Sequence, residues 1–368
     1  MLRTTRPTRA PVTLRVDPRP AYEFILSLMA YATPHRVDSY DVGPEWFARV
    51  DARIPAGFPE QLRALTHGCE HQLCRLFALA HDLEPPASAD ALIEAVERLE
   101  PEKLRLTLLG YYAKRTRRRV APEIILAAAA GDGSAQRSLM TDASDGPECE
   151  RATAAILAAT PEALHALVLN VLRGWRASVW DDHLAEAWPV IEREAERLQA
   201  ASSEMPAEEL ISQATNGVDV LPAPGIELVE MYPTWVLRPW TVHWEHESTL
   251  ILGVPVPPER LSADPDEPPE RLVRVARALG DERRLRILRR LTAGEYSLLE
   301  LSEHFGIPKS TLLHHLVILR SVGIVGVGAG ANGRYSLRPG MPLELHRLLD
   351  AYLPAVSPDR SDSGLRAI

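Results

Sequence analysis

The chain has 368 residues, of which 46 % are hydrophobic and 25 % charged, and its formal net charge is −9. This length exceeds a typical single domain, so we expect two or three domains. No apolar run reaches the roughly 18 residues of a membrane span, and the N-terminus lacks the apolar core of a signal peptide, so we expect a cytoplasmic protein without membrane contact.

Residues 1–19 are interpreted as a flexible tail and residues 20–260 as a mostly helical domain. Alanine, leucine and glutamate recur with helical period as far as about residue 215, which predicts several amphipathic helices. A helical domain of this size can hold a core and a pocket, so we interpret it as a sensory or dimerising domain, although its sequence identifies no ligand.

A group of histidine and cysteine residues falls within the predicted helix at 60–83. His67, His71 and Cys74 occupy positions i, i+4 and i+7, so one helix face could carry all three, and His81 lies two turns further on. A zinc site needs all of its ligands, and an unbroken set is not evident here. We therefore predict no metal site and treat these histidines as bordering an apolar packing face.

Three other features of this domain have a functional and a structural interpretation. The basic run 114–119 could touch DNA or an acidic partner, but a solvated helix end is the favoured interpretation. Trp175, Trp180 and Trp188 could line a pocket for an apolar effector, although tryptophans in a helical domain are more often core. The three cysteines are odd in number and irregularly spaced, which argues against a disulfide framework.

The end of this domain, about residues 218–256, predicts a small antiparallel sheet or hairpin. Its β-branched and aromatic runs, such as 241–244 and 249–252, are separated by prolines and charged residues. His243 and His246 are close in sequence, but strand alternation sends them to opposite faces, which argues against a metal site there.

A proline-rich linker at 261–269 separates this domain from a C-terminal module at 270–355. From residue 270 onward, 15 Lys and Arg residues stand against 10 Asp and Glu residues, a net charge of +5 that leaves −14 for the rest. This asymmetry fits a DNA-binding module tethered to a larger domain with another task. Two periodic helices open the module, at 271–279 and 282–291, and Asp281 is placed to cap the second.

Residues 297–338 predict a helix-turn-helix followed by a β-hairpin wing. Ser297 and Glu300 form a capping box that starts the first helix, and Gly306 can end it in the left-handed conformation. Pro308 fits the first position of the second helix, whose leucines form an inward stripe. A helix standing on an apolar partner, with a cation and hydroxyls in its first turn, is suited to the major groove of DNA.

Two short strands, at 324–327 and 334–338, complete the predicted wing. The loop between them, 328–333, is rich in glycine, so its tip is expected to be mobile. A final helix over 343–353 would close the module, and residues 356–368 are interpreted as a tail. The fold class is therefore mainly α with a small β component: a helical N-terminal domain, a short β-rich segment and a C-terminal winged helix-turn-helix.

Two stretches resemble the ArsR family of winged helix-turn-helix repressors. They are Ala278–Leu288 (ALGDERRLRIL) and Ser310–Arg320 (STLLHHLVILR), which occur in the family's order and spacing. The resemblance covers about a quarter of the chain and leaves the large N-terminal domain without a family. It implies a homodimer that reads a pseudo-palindromic operator on double-stranded DNA and is released by an effector, here an unidentified small molecule.

Carried over by position, the family's DNA contacts fall on the second helix and the wing. The DNA-binding residues so implied are Lys309, Ser310, Thr311, Leu313, His314 and Arg334. The first and last would bind phosphates, and the hydroxyls and His314 would read bases. Leu313 departs from the small polar residue usual in the family: it could pack on a thymine methyl group, or the helix could sit differently in the groove. His315 falls on the inner side, where the resemblance implies a structural hydrogen bond.

The family's metal sites have no counterpart in this sequence. The segment 298–302, on the helix before the recognition helix, has no cysteine. The final helix offers only Glu344, His346 and Asp350, which is too small a ligand set. We therefore predict no metal and no cofactor, and we place any effector site elsewhere in the chain.

Catalysis has little support, since the sequence has no nucleophile elbow, phosphate loop, dinucleotide fingerprint or zinc-protease motif. We therefore expect no catalytic residues and no enzyme. The favoured function is a dimeric, sequence-specific transcriptional regulator, and a repressor in particular, because a bound winged helix blocks polymerase without further machinery. Two alternatives stay open: a metal-dependent enzyme fused to a DNA module, and an adaptor that recruits a protein to DNA.

Overall fold

The computed structural model describes most of the chain as α-helices with two small sheets. The described residues are 13–33, 40–69, 71–143, 146–215, 225–257, 268, 270–327, 334–338, 349 and 352–353. Contacts divide the chain into an N-terminal unit, which ends at Val256, and a C-terminal unit, which begins at Pro257. No helix in the described part is long and apolar enough to cross a membrane. The predicted fold class is confirmed.

Helices form most of the N-terminal unit. They are α1 (Pro20–Ala32), α2 (Gly43–Asp51), α3 (Phe58–Thr66), α4 (His71–Cys74), α5 (Phe77–His81), α6 (Ala89–Arg98), α7 (Pro101–Leu108), α8 (Lys114–Arg117), α9 (Pro122–Ala129), α10 (Gly133–Asp142), α11 (Pro147–Ala158), α12 (Pro161–Trp175), α13 (Asp181–Glu204) and α14 (Ala207–Ala214). Many begin at a proline, whose missing amide hydrogen costs nothing in the first turn. Side-chain oxygens of Ser88, Asp132 and Thr160 cap α6, α10 and α12, the last of which also begins at a proline.

Helix α1 lies at the centre of this unit, since every residue from 21 to 30 is buried. A helix that is buried on all sides belongs in the middle of a core. Trp175 stacks on Phe58 with ring centroids 5.9 Å apart, and Trp180 meets Phe24 edge-on at 5.1 Å. Both tryptophans are fully or almost fully buried, and Trp188 packs against the same core while partly buried. The core interpretation of the three tryptophans is confirmed.

A four-stranded mixed sheet completes the N-terminal unit. Its strands are β1 (Thr13–Val16), β2 (Leu228–Thr234), β3 (Val242–His246) and β4 (Thr249–Pro255), in the spatial order β1-β2-β4-β3. Strands β1 and β4 both pair parallel to β2, and β3 pairs antiparallel to β4. The predicted antiparallel hairpin is present as β3–β4, but the prediction was wrong for β2, because the parallel pairing joins segments that no tight turn connects.

Strand β1 also corrects the prediction of a flexible tail over residues 1–19. Residues 13–16 form an edge strand, in which Thr13 pairs with Leu228 and Val16 with Met231. Its four residues alternate between exposed and half-buried positions, as an edge strand requires. Four alternating residues are too few to predict a strand from sequence alone, and their partner lies more than two hundred residues away.

One disulfide joins Cys69, after α3, to Cys149 near the start of α11, with a sequence separation of 80. The spacing that argued against a disulfide framework did not indicate this bond, because a single pair leaves no spacing pattern and depends only on where the chain brings the two residues together. The third cysteine, Cys74, is buried and lies outside this bond, with its sulfur 3.3 Å from that of Met29.

The predicted single helix face for His67, His71 and Cys74 was also wrong. Helix α3 ends at Thr66, and His67 adopts a left-handed backbone with φ of 47° before α4 begins at His71. Gly68, with φ of 81°, makes this break possible, because glycine takes positive φ without steric cost. Within the described ranges, no three histidine, cysteine or acidic residues lie close enough together to hold a metal ion.

The C-terminal unit contains the predicted order of four helices and two strands. These are α15 (Glu270–Leu279), α16 (Glu282–Leu291), α17 (Leu298–Phe305), α18 (Lys309–Ser321), β5 (Val325–Val327) and β6 (Tyr335–Leu337), the strands pairing antiparallel. A separate apolar core holds them together and includes Leu301, Leu312 and Tyr335. The wing tip 328–333 lies outside the described residues, as do most of the linker 261–269 and most of the final helix predicted at 343–353.

Candidate nucleic-acid interface

The turn between α17 and α18 is fixed by local hydrogen bonds at both ends of α17. At its start, the Ser297 hydroxyl accepts from the Glu300 amide at 3.3 Å, and the Glu300 carboxylate accepts from the Ser297 amide at 2.7 Å. At its end, Gly306 takes a left-handed conformation with φ of 62°, and the Ser302 hydroxyl donates to the Ile307 carbonyl at 2.7 Å. The predicted capping box and glycine stop are confirmed.

Helix α18 is anchored by three leucines that face the core. Leu312, Leu316 and Leu319 are completely buried, at the spacing that places them on one side of a helix. Pro308 is the N-cap residue of α18 and not its first helical residue, so that prediction was wrong by one position. The opposite face of α18 is thereby held outward.

The first two turns of α18 carry five of the six predicted DNA-binding residues. Lys309, Ser310, Leu313 and His314 are exposed, and Thr311 is half-buried. Leu313 exposes 40 % of its surface, so its side chain is able to contact a partner. Among the described residues, Lys309 has no ion pair that would compete for its charge. The structure thus gathers a cation, two hydroxyls, an imidazole and an apolar group on one short surface.

The sixth predicted residue, Arg334, lies at the start of β6 and is held by neighbours. Its guanidinium donates to the Glu295 carbonyl at 2.7 Å and pairs with the Glu300 carboxylate at 3.1 Å. Hydrogen bonds from Ser297 lower the pKa of Glu300, and Arg334 lowers it further. Arg334 therefore links the wing to the cap of α17, a role that the sequence did not indicate, and it would have to share its charge with any phosphate.

His315 faces inward from α18, as predicted, and only 7 % of its surface is exposed. The structural hydrogen bond implied for it is not present at Nδ1, which has no hydrogen-bond partner among the described residues. Burial lowers the pKa of His315, and the positive charge of Arg284 acts in the same direction, against the carboxylate of Asp281. The imidazole is thus kept neutral in the folded protein at neutral pH.

A second group of cations, which the residue patterns did not single out, lies on α16. Arg283 and Arg286 border a cleft of about 180 Å³ between α16 and the turn that leads into α18. Two other arginines of α16 have structural contacts: Arg284 donates to the Ala278 carbonyl at 2.6 Å, and Arg290 lies over the ring of Tyr296 at 4.5 Å. Helical amphipathicity could have indicated the exposed pair, but not the cleft.

Two buried carboxylates in the N-terminal unit are further polar sites that sequence reasoning missed. Glu23 of α1 accepts from the Thr234 hydroxyl at 2.8 Å and from the amides of Val236 and Trp235 at 2.9 and 3.2 Å. His183 Nε2 lies 3.3 Å from the same carboxylate. Helix α13 and the end of β2 are thus joined to the central helix by one acidic side chain.

The imidazole of His183 has both ring nitrogens occupied. The indole N–H of Trp46 can only donate, and it lies 3.3 Å from Nδ1, so Nδ1 accepts and Nε2 carries the hydrogen that faces Glu23. A histidine engaged at both nitrogens has no free lone pair with which to act as a base. This buried network therefore has the contacts of a structural element.

Glu230 of β2 is the second buried carboxylate and belongs to the sheet. It accepts from the Tyr22 hydroxyl at 2.8 Å, lies 3.3 Å from His81 Nδ1 and pairs with Arg15 of β1. Burial alone would raise its pKa, but hydrogen bonds from His81, Arg15 and Tyr22 lower the pKa to about 2. The carboxylate is ionised at neutral pH and ties the edge strand to the helices.

The basic run 114–119 lies in and just after α8. Arg118 donates to the Glu245 carboxylate of β3 at 2.7 and 3.1 Å, so at least one of its cations has an acidic partner within the N-terminal unit. This contact between α8 and β3 gives the run a local structural role at the surface.

Comparison with known proteins gives one match. Residues 281–327 match the family model described as bacterial regulatory protein, arsR family. The matched segment runs from the N-cap of α16 to the end of β5, and so contains the whole helix-turn-helix. No curated protein and no solved structure matches the chain. The resemblance of the C-terminal part to this family is confirmed and supports DNA-binding transcription regulation, while the N-terminal unit has no assigned family.

Proposed function

We propose that the protein is a sequence-specific transcriptional regulator that acts as a repressor. The observation that carries the proposal is the outward face of α18, where Lys309, Ser310 and His314 are exposed on a helix that buried leucines hold in place. Lys309 binds a backbone phosphate, which gives affinity, and the hydroxyls and His314 read base edges, which gives specificity. A winged helix bound at a promoter blocks polymerase, so repression needs no further contact.

The proposed active form is a homodimer. A single recognition helix contacts only a few base pairs, whereas two related by a two-fold axis read half-sites about one turn of DNA apart. The modest charge of +5 from residue 270 onward also favours pairing, because two copies double the electrostatic attraction to the duplex. The bound site is then a pseudo-palindrome.

The N-terminal unit is proposed to regulate DNA binding in the cytoplasm by sensing a small molecule or by dimerising, and not to act as an enzyme. The net charge of −14 over residues 1–269, which include this unit, does not suit it to bind DNA. Two of its buried acidic groups, Glu23 and Glu230, are engaged in hydrogen bonds within the fold. Such groups stabilise a scaffold.

The test is selection of bound DNA from a random duplex library by the full-length protein. The wild type is expected to enrich a two-fold symmetric site with half-sites about 10 base pairs apart. The double variant Lys309→Ala/His314→Ala should lose this enrichment. Lys103→Ala is the matched control, since it removes an exposed lysine of the N-terminal unit and should leave the selected site unchanged.

Two results would count against this proposal. If the wild type enriched no sequence even at low salt, the helix-turn-helix would not be a DNA reader in this protein. If the double variant enriched the same site as the wild type, DNA would be bound by another surface. Addition of candidate small molecules to the selected complex then tests the sensory role, because an effector should weaken binding by the wild type.

A further inference from the structure

Helix α16 is strongly basic, and its five arginines differ in what they contact. Arg284 and Arg290 are held by the fold, through the Ala278 carbonyl and the ring of Tyr296. Arg286 is exposed, and its ion pair with Glu282 is long, at 3.9 Å. Such an exposed pair contributes little and is easily exchanged.

Arg283 and Arg289 are the two remaining arginines of this helix. Both are exposed, and neither has a side-chain hydrogen bond or ion pair with a described residue. They differ in position, because Arg283 borders the cleft beside α16 and Arg289 does not. The helix therefore offers one exposed cation on the cleft and one away from it, which can be compared directly.

The cleft that Arg283 and Arg286 border has a mixed lining. Its other walls are Ile287 of α16, Phe305 at the end of α17 and Ile307 in the turn. Residues 283, 286 and 287 stand at helical spacing, so they share one side of α16. The result is a cleft of about 180 Å³ that is lined by two arginine and three apolar side chains.

We propose that this cleft binds the sugar-phosphate backbone of the DNA beside the half-site read by α18. The inference rests on the proposed DNA-binding function and adds a second contact surface to it. A planar guanidinium matches the oxygens of a phosphate in two parallel hydrogen bonds, and the carbon edge of a deoxyribose can pack on isoleucine and phenylalanine. The two arginines of the lining would bind the phosphate, and the apolar side chains would contact the sugar of the same strand.

The position of the cleft supports this occupant. Ile307 lies two residues before Lys309, and two residues of chain span at most about 7 Å. DNA held by the first turn of α18 therefore passes close to the turn that forms one wall of the cleft. Arginine side chains that reach out from α16 can then contact phosphates outside the bases that α18 reads, which fixes the orientation of the helix-turn-helix on the duplex.

The test measures affinity for the selected operator and for an unrelated duplex over a salt series, using the full-length protein. The slope of log affinity against log salt is negative, and each phosphate contact that is lost reduces its magnitude by about 0.9. Arg283→Ala and Arg286→Ala are each expected to reduce the magnitude of the slope by about this amount, and the double variant by about twice as much. Both duplexes should lose affinity by similar factors, because phosphates carry no sequence.

Arg289→Ala is the control, since it removes the same charge from the same helix outside the cleft, and its slope should remain that of the wild type. Thermal unfolding of each variant checks the fold, and Arg286→Gln keeps the polar length if the alanine variant is unstable. The cleft proposal is overturned if the cleft variants keep the wild-type slope, or if Arg289→Ala changes it equally.

Failure of the underlying function would look different. If the wild type bound no duplex, the DNA-binding function and the cleft proposal would fall together, whereas failure of the cleft alone appears only in the variants.

Discussion

In the N-terminal unit, the carboxylates of Glu23 and Glu230 are completely or almost completely buried, and each accepts hydrogen bonds from several groups. In the C-terminal unit, Lys309 and Arg283 are exposed, and the described residues give neither an ion pair. The two units thus use charged side chains differently. A buried, fully bonded charge stabilises the fold, whereas an exposed charge without a partner is available to a ligand. Substitutions in the two units should accordingly affect different measurements.

The largest effect is expected from Glu23→Ala in the buried network. It leaves two backbone amides, the Thr234 hydroxyl and His183 without their acceptor, which costs about 3–5 kcal/mol in the free energy of unfolding. Calorimetry or chemical denaturation measures this loss. Glu23→Gln retains one acceptor oxygen and should lose less. A wild-type stability in Glu23→Ala would contradict the structural role given to the network.

The disulfide between Cys69 and Cys149 should have the next largest effect. It closes a loop with a sequence separation of 80, and removal of such a crosslink costs about 2–4 kcal/mol, because the unfolded chain gains freedom. Cys149→Ser should therefore lower the melting temperature of the N-terminal unit under oxidising conditions. Reductant should lower the melting temperature of the wild type by the same amount and leave that of the variant unchanged. If reductant also lowered the melting temperature of the variant, the loss would not come from this disulfide.

Glu230 predicts a dependence of stability on acid. Its pKa in the folded protein is lowered to about 2, so its contribution is fully present above the unfolded value near 4.5 and is lost as the pH falls toward 2. At neutral pH this contribution is on the order of 3 kcal/mol. Unfolding of Glu230→Gln should be less steep in pH over that range. If the variant kept the acid profile of the wild type, the neighbours of Glu230 would not be lowering its pKa.

The smallest effect concerns the two predicted phosphate contacts of the interface. Lys309→Ala should reduce the magnitude of the salt slope of DNA binding by about 0.9. Arg334→Ala should reduce it by clearly less than about 0.9, because Glu300 already shares that charge. Glu300→Gln should release Arg334 and steepen the slope slightly. If Lys309→Ala and Arg334→Ala changed the salt slope equally, the ion pair between Arg334 and Glu300 would have to break when DNA binds.

The sequence predicted the parts of the molecule that short stretches determine. Ser297, Glu300 and Gly306 specify the limits of α17 within ten residues, and the leucine stripe specifies which side of α18 faces inward. Because each signal acts between neighbours a turn apart, the helix-turn-helix and its exposed residues could be placed from the amino-acid pattern alone. The same reasoning could not find the partner of Arg334, which lies in another element.

Features that depend on distant residues could not be predicted. Strand β1, the parallel pairing of β1 with β2, the disulfide and the two buried carboxylates all join segments separated by 80 residues or more. The error over His67, His71 and Cys74 has a different cause. Helix α3 ends at Thr66, and His67 and Gly68 both take positive φ before α4 begins at His71, a local break that the apolar pattern on either side does not reveal.

Strand β1 has a consequence for how the protein is made. Arg15 and its partner Glu230 are 215 positions apart, so the ribosome must add the whole helical part before this pair can form. At about 5–20 residues per second, that interval lasts roughly 10–40 s. During it the central helix α1 can pack only on helices such as α3 to α6, and its Tyr22 hydroxyl and Glu23 carboxylate lack the partners that β2 and the following segment provide.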